Sequence, residues 1–448
     1  MPAILLRIPY VQQQVSSIAT EELSNYLGVP VRIGNVDIEW FNHLALEDLY
    51  LEDQQGKVLF EANRVSAGFE LKPLLEGKLV FTSARLLGFS LNLNKPTPKD
   101  KLNLQFVIDA FASKDTLKKR KDIDLRFNSV LIRKGNIKFD VASAKETPGK
   151  FNPKHIDIRN LSAKIALKAF NKDSLNATIK KMSFMEANGF FLERLMVNVV
   201  ANHDSAQVNN FEIQLPLTHL KIQKAMMNLT EVNDINDFLN HAPVQLDIAP
   251  SQICLKDLTA FVPAFKNFAD TIELTAGATG TINDINMQRL SLKYSDKLLF
   301  EGKMDLKGIT HPATAYLFGQ VRRMYITNDG LTGLINNFSQ QDVALPKQLH
   351  ELGTIHFTGE IAGFFDNLVA FGNFSTAIGS IQTDMIIGKN KEQNIATYLK
   401  GNITSSDLQL DRLFPENNPY GNIRFNIKLD TQRPIDGNFA GDIKAEIQ

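Results

Sequence analysis

The sequence predicts a mostly-β protein: an elongated antiparallel β-structure with an N-terminal amphipathic helix and a few short helices. Three observations predict it. Apolar and polar residues alternate with period two through most of the chain. Helix-period segments are few and short. Turn-forming residues punctuate the alternating runs.

The helix comes first. Val11, Val15, Ile18, Ala19, Leu23, Tyr26 and Leu27 follow one helical face, Pro9 suits a first turn, and Gly28 and Pro30 supply a stop. The preceding Ile4-Leu5-Leu6-Arg7-Ile8 is too short to span a bilayer, which needs about 20 apolar residues, and it lacks the features of a signal peptide.

The period then changes to two. Alternation runs through Val65-Ala67-Phe69-Leu71, Ile123-Leu125-Phe127, Leu161-Ala163-Ile165-Leu167 and Phe211-Ile213-Leu215-Leu217. It returns in Val244-Leu246-Ile248, Ile272-Leu274-Ala276, Leu290-Leu292-Tyr294 and Ile423-Phe425-Ile427-Leu429. Such strands have one apolar and one wet face. Gln55-Gly56, Lys134-Gly135-Asn136 and Asn283-Asp284 read as turns. Gly353-Thr354-Ile355-His356-Phe357 and Gly421-Asn422-Ile423-Arg424-Phe425 repeat one glycine-started form, with Gly277 to Ile282 a looser copy. Further helices are expected at Phe106 to Phe111, Met226 to Leu239 and Leu331 to Phe338, and a weaker one at Leu255 to Phe265. No Pro/Gly/Ser-rich linker divides the chain. Residues 1–28 therefore read as a membrane-proximal segment and helix, and residues 29–448 as one continuous β-groove, in a chain truncated at both ends.

Composition sets the outer limits. The chain is 44% hydrophobic and 22% charged, which excludes disorder and multi-span membrane classes. Lys plus Arg equals Asp plus Glu at 49 each, so no basic excess points to nucleic acid. The one basic run, Lys118 to Lys121, reads as a solvated loop. Cys254 is the only cysteine; it excludes an internal disulfide and reads as a buried strand thiol.

Chemistry is scarce. There is no Gly-x-Ser-x-Gly elbow, no His-Glu-x-x-His and no phosphate loop. No two histidines show ligand spacing, so no metal and no cofactor is expected. In the acidic pairs Glu47-Asp48 and Glu52-Asp53 the members would point to opposite faces of a strand, with Asp53 supporting the turn at Gln54-Gln55-Gly56. An enzyme is not expected.

A strand every 12 to 15 residues would give roughly 30 strands of about 5–6 residues, stacked over about 140 Å. A few short helices cannot cover so many apolar faces, which must pack on another sheet, close on themselves or take a guest. If the lumen is open, each acyl CH₂ removed from water contributes about 0.8 kcal/mol, so a chain of about 16 carbons gains on the order of 10 kcal/mol at any rung. The candidate lining is Val65, Phe69 and Leu71; Leu125 and Phe127; Ile165 and Leu167; Ile213 and Leu215; Leu246 and Ile248; Ile272 and Leu274; Leu290 and Leu292; Ile355 and Phe357; and Phe425 and Ile427.

Two stretches carry a family resemblance. One is Leu23-Ser24-Asn25-Tyr26-Leu27-Gly28-Val29-Pro30-Val31-Arg32-Ile33-Gly34, followed by Leu46-Glu47-Asp48-Leu49-Tyr50-Leu51-Glu52-Asp53. The other runs from Leu104 to Asp115 and into Ile123 to Gly135. Both resemble the N-terminal part of the AsmA-like/TamB family, the translocation and assembly module subunit TamB included. The resemblance implies an elongated, curled antiparallel β-sheet forming a taco-shaped β-groove, in a periplasmic protein of a Gram-negative-type bacterium held in the inner membrane by an anchor helix missing from this chain. It implies phospholipid acyl chains as cargo, movement of phospholipid between inner and outer membrane, and a TamA-class outer-membrane barrel as partner. The alternative it carries is a scaffold or chaperone for assembling and secreting outer-membrane β-barrel proteins.

Overall fold

The computed structural model describes residues 9–39, 42–70, 72, 79–111, 123–171, 174–230, 232, 237, 240–311, 314–339, 347–364, 366–390, 395–414, 421–434 and 440–448. The protein is mostly β, its sheet open, curled and antiparallel, with one N-terminal helix and few short ones, as the alternation predicts. Twenty-two strands are present among the described residues. All but the first two are longer than the expected 5–6 residues, up to 19 in one case. The chain divides into two compact units, Met1–His203 with Val208–His219 and Asp257–Pro263, and Asp204–Gln207 with Leu220–Lys256 and Ala264–Gln448.

The first unit opens with α1 (Pro9–Leu27). Gly28, at φ +71°, ends it in the left-handed conformation that a residue without a Cβ adopts freely. The strands β1 (Val31–Arg32), β2 (Asn35–Glu39), β3 (His43–Glu52) and β4 (Val58–Phe69) follow. Val15, Ala19, Leu23 and Leu27 of α1 pack on Val31, Ile33, Val36, Leu46, Leu49 and Leu51. Two residues expected on that face are instead outside it, with Ile18 59% and Tyr26 57% exposed. The positions at i, i+4, i+8 and i+12 suffice to cover a strip only three strands wide.

The unit continues through β5 (Leu79–Lys95), α2 (Gln105–Phe111), β6 (Ile123–Val141), β7 (His155–Asn171), β8 (Ser174–Glu186), β9 (Phe191–Asn202) and β10 (Ser205–Gln214). Neighbours pair antiparallel, except that β5 and β6 run parallel. A parallel pair needs a crossover rather than a hairpin, and residues 96–122, with α2 among them, provide it.

The second unit is a meander: β11 (His219–Asn228), β12 (Val244–Cys254), β13 (Thr271–Gly280), β14 (Ile285–Tyr294), β15 (Leu298–Lys307), β16 (Tyr316–Ile326), β17 (Ile355–Phe364), β18 (Asn367–Thr376), β19 (Gly379–Asn390), β20 (Ile395–Gln409), β21 (Asn422–Pro434) and β22 (Ala440–Ile447). From β12 on, each strand pairs antiparallel with the next. The helix α3 (Asn328–Ser339) lies where Leu331 to Phe338 predict one, and α4 (Lys347–Glu351) and α5 (Leu410–Leu413) were not foreseen. The weak helix at Leu255 to Phe265 resolves into two 3-10 turns, Leu255–Leu258 and Pro263–Asn267. The expected helix at Met226 is corrected: Met226 to Asn228 complete β11, because pairing with a neighbour outweighs a weak local helical period. Much of Thr230 to Leu239 lies outside the described residues.

Cys254 closes β12 fully buried, its thiol 3.5 and 3.4 Å from the Phe268 and Ala269 carbonyls.

Candidate functional site

In an antiparallel pair, residues directly opposite one another project from the same face, so register alone tells which side chains share a surface. In the second unit this builds an unbroken cross-strand row over eleven strands. Ile248 faces Ala276, then Leu290, Gly302, Val321, Gly359, Gly372, Thr383, Ile403, Ile427 and Ala445 in turn. A second row runs Leu246, Ala278, Met287, Met304, Gly319, Ile361, Ala370, Met385, Gly401, Leu429 and Ile443. On the other side of the first row, Leu274 faces Leu292, Phe300, Met324, Phe357, Phe374 and Ile381 in succession. Beyond these, Ile253, Ile272, Tyr294, Leu298, Ile326 and Ile355 form a shorter row. None of these four rows contains a charged side chain.

The opposite face is wet. Lys303, Gln320, Glu360, Phe371, Asp384, Asn402, Lys428 and Lys444 stand opposite one another from β15 to β22. Lys293 pairs with Glu273 at 3.9 Å, Arg323 with Glu301 at 3.1 Å and Lys400 with Asp430 at 3.0 Å across neighbouring strands. These exposed pairs are weak, screened by solvent, but they fix which face is solvated.

Burial along the apolar face is uneven. Leu290, Tyr294, Val321 and Phe357 are buried; Leu274, Leu292, Phe300, Met304 and Leu306 are only half-buried; Ile387 and Ile443 are 51% and 63% exposed. A second packed layer would bury such side chains fully. Leu352, Leu410 and Leu413, at and beside α4 and α5, pack on Ile378, Leu408, Ile423 and Phe425.

The first unit carries a second apolar face. Val36, Leu46, Val65, Leu86, Ile132, Ala163, Met182 and Leu195 are successive partners across β2 to β9. A parallel row links Val31, Leu51, Phe60, Leu91, Ile137 and Ile158. Residues from both rows join buried Ala62, Phe89 and Leu161 in one cluster, and α1 covers the β1–β3 end of the face. Phe184 extends the cluster to Phe190, 6.1 Å away between centroids, and Phe190 touches Phe261, which in turn touches Phe151.

The sequence-predicted lining residues fall as follows. Leu246, Ile248, Ile272, Leu274, Leu290, Leu292, Ile355, Phe357, Phe425 and Ile427 all lie on the one apolar face of the second unit. Val65 is in the first unit's row; Phe69 pairs with Phe81, Ile165 with Val130 and Ile179, and Leu167 with Ala177. Ile213 is half-buried in β10, and Leu215 is buried just after its end, its N–H donating to the Thr218 carbonyl. Leu217, counted with that strand from its alternation, is 46% exposed beyond it. Leu71 lies outside the described residues, as do the side chains of Leu125 and Phe127 in β6. Sequence reading missed Leu86, Phe89, Leu91, Ile132, Ile137 and Met182: the left-handed residues Gly88 and Lys134 break the alternation around the first five, and register shifts lie on either side of Met182.

Titratable groups are engaged structurally. His155 Nδ1 lies 2.6 Å from Asp140, and His219 Nε2 lies 2.7 Å from Glu212. Burial pushes the Asp53 carboxyl up, but N–H donors from Lys57, Asn103 and Gln55 outweigh it and hold the group below the usual carboxylate range. Asp53 thereby locks the turn at Gly56 (φ +75°), as its place in the sequence predicts. Asp270 is also held low, first by its hydrogen bond from Lys297. Burial, aided by Asp270, pushes the Tyr294 phenol up to about 12. Among the described residues no cluster of three or more His, Cys, Asp or Glu is placed to hold a metal, and no helix is long and apolar enough to cross a membrane.

No family model matches the chain, and none of the curated proteins matches it.

Proposed function

We propose that the apolar faces bind lipid acyl chains and that the protein passes phospholipid between membranes, as the resemblance to AsmA-like/TamB proteins implies. The observation that supports this reading best is the second unit's unbroken row from Ile248 to Ala445, backed by a charged face on the other side. An acyl chain laid across strands meets the same chemistry at every rung, and each buried CH₂ contributes about 0.8 kcal/mol wherever it sits. Successive positions are then nearly equal in energy, and movement along the face has no deep trap. On this reading the protein works in the periplasm, tethered to the inner membrane, with a TamA-class barrel at the far side; it is a binding protein, not an enzyme.

The test is photo-crosslinking from Leu274, Leu292 or Phe300, with Glu273 and Lys293, on the opposite face, as controls. Capture of phospholipid from the first three positions and not from the controls supports the reading. Capture of unfolded barrel protein there favours the scaffold alternative, and lipid capture only from the controls overturns the proposal.

A further inference from the structure

We propose that the polar face of the second unit holds a binding pocket for a phosphate-class anion, built from Arg289, Lys303 and Arg322. The inference does not depend on the acyl-chain reading, because the pocket opens on the face opposite the apolar rows.

Two bulges make the pocket. Between the pairs Met287–Met304 and Leu290–Gly302, β14 places two residues, Gln288 and Arg289, against the single Lys303 of β15. Between Glu301–Arg323 and Gly302–Val321, Arg322 is the extra residue of β16. A bulge re-aims side chains and opens the ladder locally. Here both bulges flank β15 at the same level, with Lys303 between them. Gly302 is the floor; a Cβ there would lie 2.0 Å from the Gln320 carbonyl oxygen, so no other residue fits without moving β16. Arg289 lies flat across Gly277 on the next strand, where an added Cβ would come within 3.2 Å of its Nη2.

The resulting cavity has a volume of about 450 Å³ and is lined by Arg289, Lys303 and Arg322, by Thr275, Gln288, Ser291 and Gln320, and at its base by Leu290, Gly302 and Val321. Three cations and four neutral hydrogen-bonding residues thus border it, with no carboxylate in the lining among the described residues. Carboxylates stand only at the rim. Asp247 meets Arg289 at 3.3 Å, and Glu301 meets Arg322 at 3.6 Å and Arg323 at 3.1 Å. Arg289 and Arg322 are 76% and 78% exposed in their side chains, so these rim pairs are weak and leave the guanidinium forks free to turn inward. Two guanidinium forks and an ammonium bordering one hollow, once the forks turn from their rim partners, match the oxygens of a phosphate group, with the amides and hydroxyls taking what attaches to it. A free phosphate compound and a phospholipid headgroup both present this chemistry.

The full chain is titrated calorimetrically with inorganic pyrophosphate, and separately sedimented with phosphatidylcholine vesicles with and without phosphatidylglycerol. Binding of pyrophosphate marks a site for free phosphate compounds; capture only by the phosphatidylglycerol vesicles marks a headgroup site. In either case the triple variant Arg289→Gln, Lys303→Gln, Arg322→Gln is expected to weaken binding about tenfold or more. Asp247→Asn, which releases Arg289, is expected to tighten it several-fold. Lys293→Gln, on the same face outside the pocket, leaves it unchanged. Binding of neither probe at low salt, or equal binding by a triple variant whose circular dichroism is native, overturns the proposal.

Discussion

The ring of Phe89 on β5 lies directly over Gly135 on β6: a Cβ built on Gly135 would sit 2.3 Å from Cε1 of the ring. Phe89 is 5% exposed and centres the cluster that joins Ala62 to Leu161, so the glycine is the seat of the first unit's core. Gly135→Ala should therefore destabilise by about 1–3 kcal/mol through overpacking. Phe89→Ala should cost about 3–5 kcal/mol through the void it leaves. The double variant Gly135→Ala, Phe89→Ala should lose less than the sum of its parts, since the smaller side chain makes room for the methyl. Denaturant unfolding of the four proteins gives the coupling; simple additivity would show that the ring and the glycine do not share the space.

Asp53 gives a pH signature. It is 2% exposed, and its carboxylate accepts from Gln55 N at 2.9 Å, Lys57 N at 3.0 Å and Asn103 Nδ2 at 3.2 Å. Its acidity is raised in the folded protein, so its contribution is complete above the unfolded carboxylate pKa, about 3.9, and is lost as pH falls below that. Asp53→Asn should cost about 1.5–3 kcal/mol at neutral pH, because charged acceptors make the stronger bonds. The variant should also lose less stability than the parent between neutral and acid pH. Chemical denaturation at both pH values measures the difference, and an unchanged acid limb would count against the assignment.

The first unit shows why alternation alone could not place its lining. Asp48, Gly88, Lys134, Asn160 and Asn210 have left-handed φ of 50°, 60°, 54°, 54° and 51°. Around the first four the sequence reads Leu46-Glu47-Asp48-Leu49-Tyr50-Leu51, Leu86-Leu87-Gly88-Phe89-Ser90-Leu91, Ile132-Arg133-Lys134-Gly135-Asn136-Ile137 and Ile158-Arg159-Asn160-Leu161-Ser162-Ala163. Core positions fall at i, i+3 and i+5, one residue off a strict period of two, because the left-handed residue turns the backbone at that point and swaps the faces. Lys134-Gly135-Asn136, which reads as a turn, is thus the middle of a 19-residue strand. An isolated turn dipeptide and a bulge have the same local chemistry, and only the neighbouring strand distinguishes them. In the second unit Leu274, Leu290, Leu292, Phe357 and Phe425 were legible because each lies in a run without a bulge inside it, and register then carries one face across every strand. The phosphate-class pocket was not legible at all: Arg289 and Arg322 are 33 residues apart and border one hollow only because two bulges flank Gly302.

Tyr294 makes an alkaline counterpart to Asp53. Its phenol is 5% exposed and titrates at about 12, mainly through burial and secondarily through Asp270. A raised folded value means its contribution is intact below the unfolded phenol pKa, about 10, and is lost as pH rises toward the folded value. Absorbance titration should show one phenol ionising last, and Tyr294→Phe should remove that step and flatten stability between pH about 10 and 12. Loss of an early-titrating phenol in the variant would refute this.

A charge at Leu292 separates an open apolar face from a filled core. Leu292 sits between Leu274 and Phe300 and is half-buried, while Ser291, one residue away, faces Glu301 on the wet side. In a packed interior a lysine at 292 would bury an unpaired ammonium and cost several kcal/mol, enough to unfold a domain whose whole stability is about 5–15 kcal/mol. On an open face the flexible stem reaches solvent, and the cost falls to about 1 kcal/mol or less. Leu292→Lys should accordingly keep its thermal midpoint within a few degrees of the parent, by the usual scaling of about 2–4 °C per kcal/mol for domains of this size. Its affinity for a fluorescent fatty acid should nevertheless fall about tenfold, since an ammonium stands in the acyl path. Ser291→Lys should change neither quantity. A collapse of the thermal midpoint in Leu292→Lys alone would mean that the chain fills this face with its own side chains, and acyl binding there would have to be abandoned.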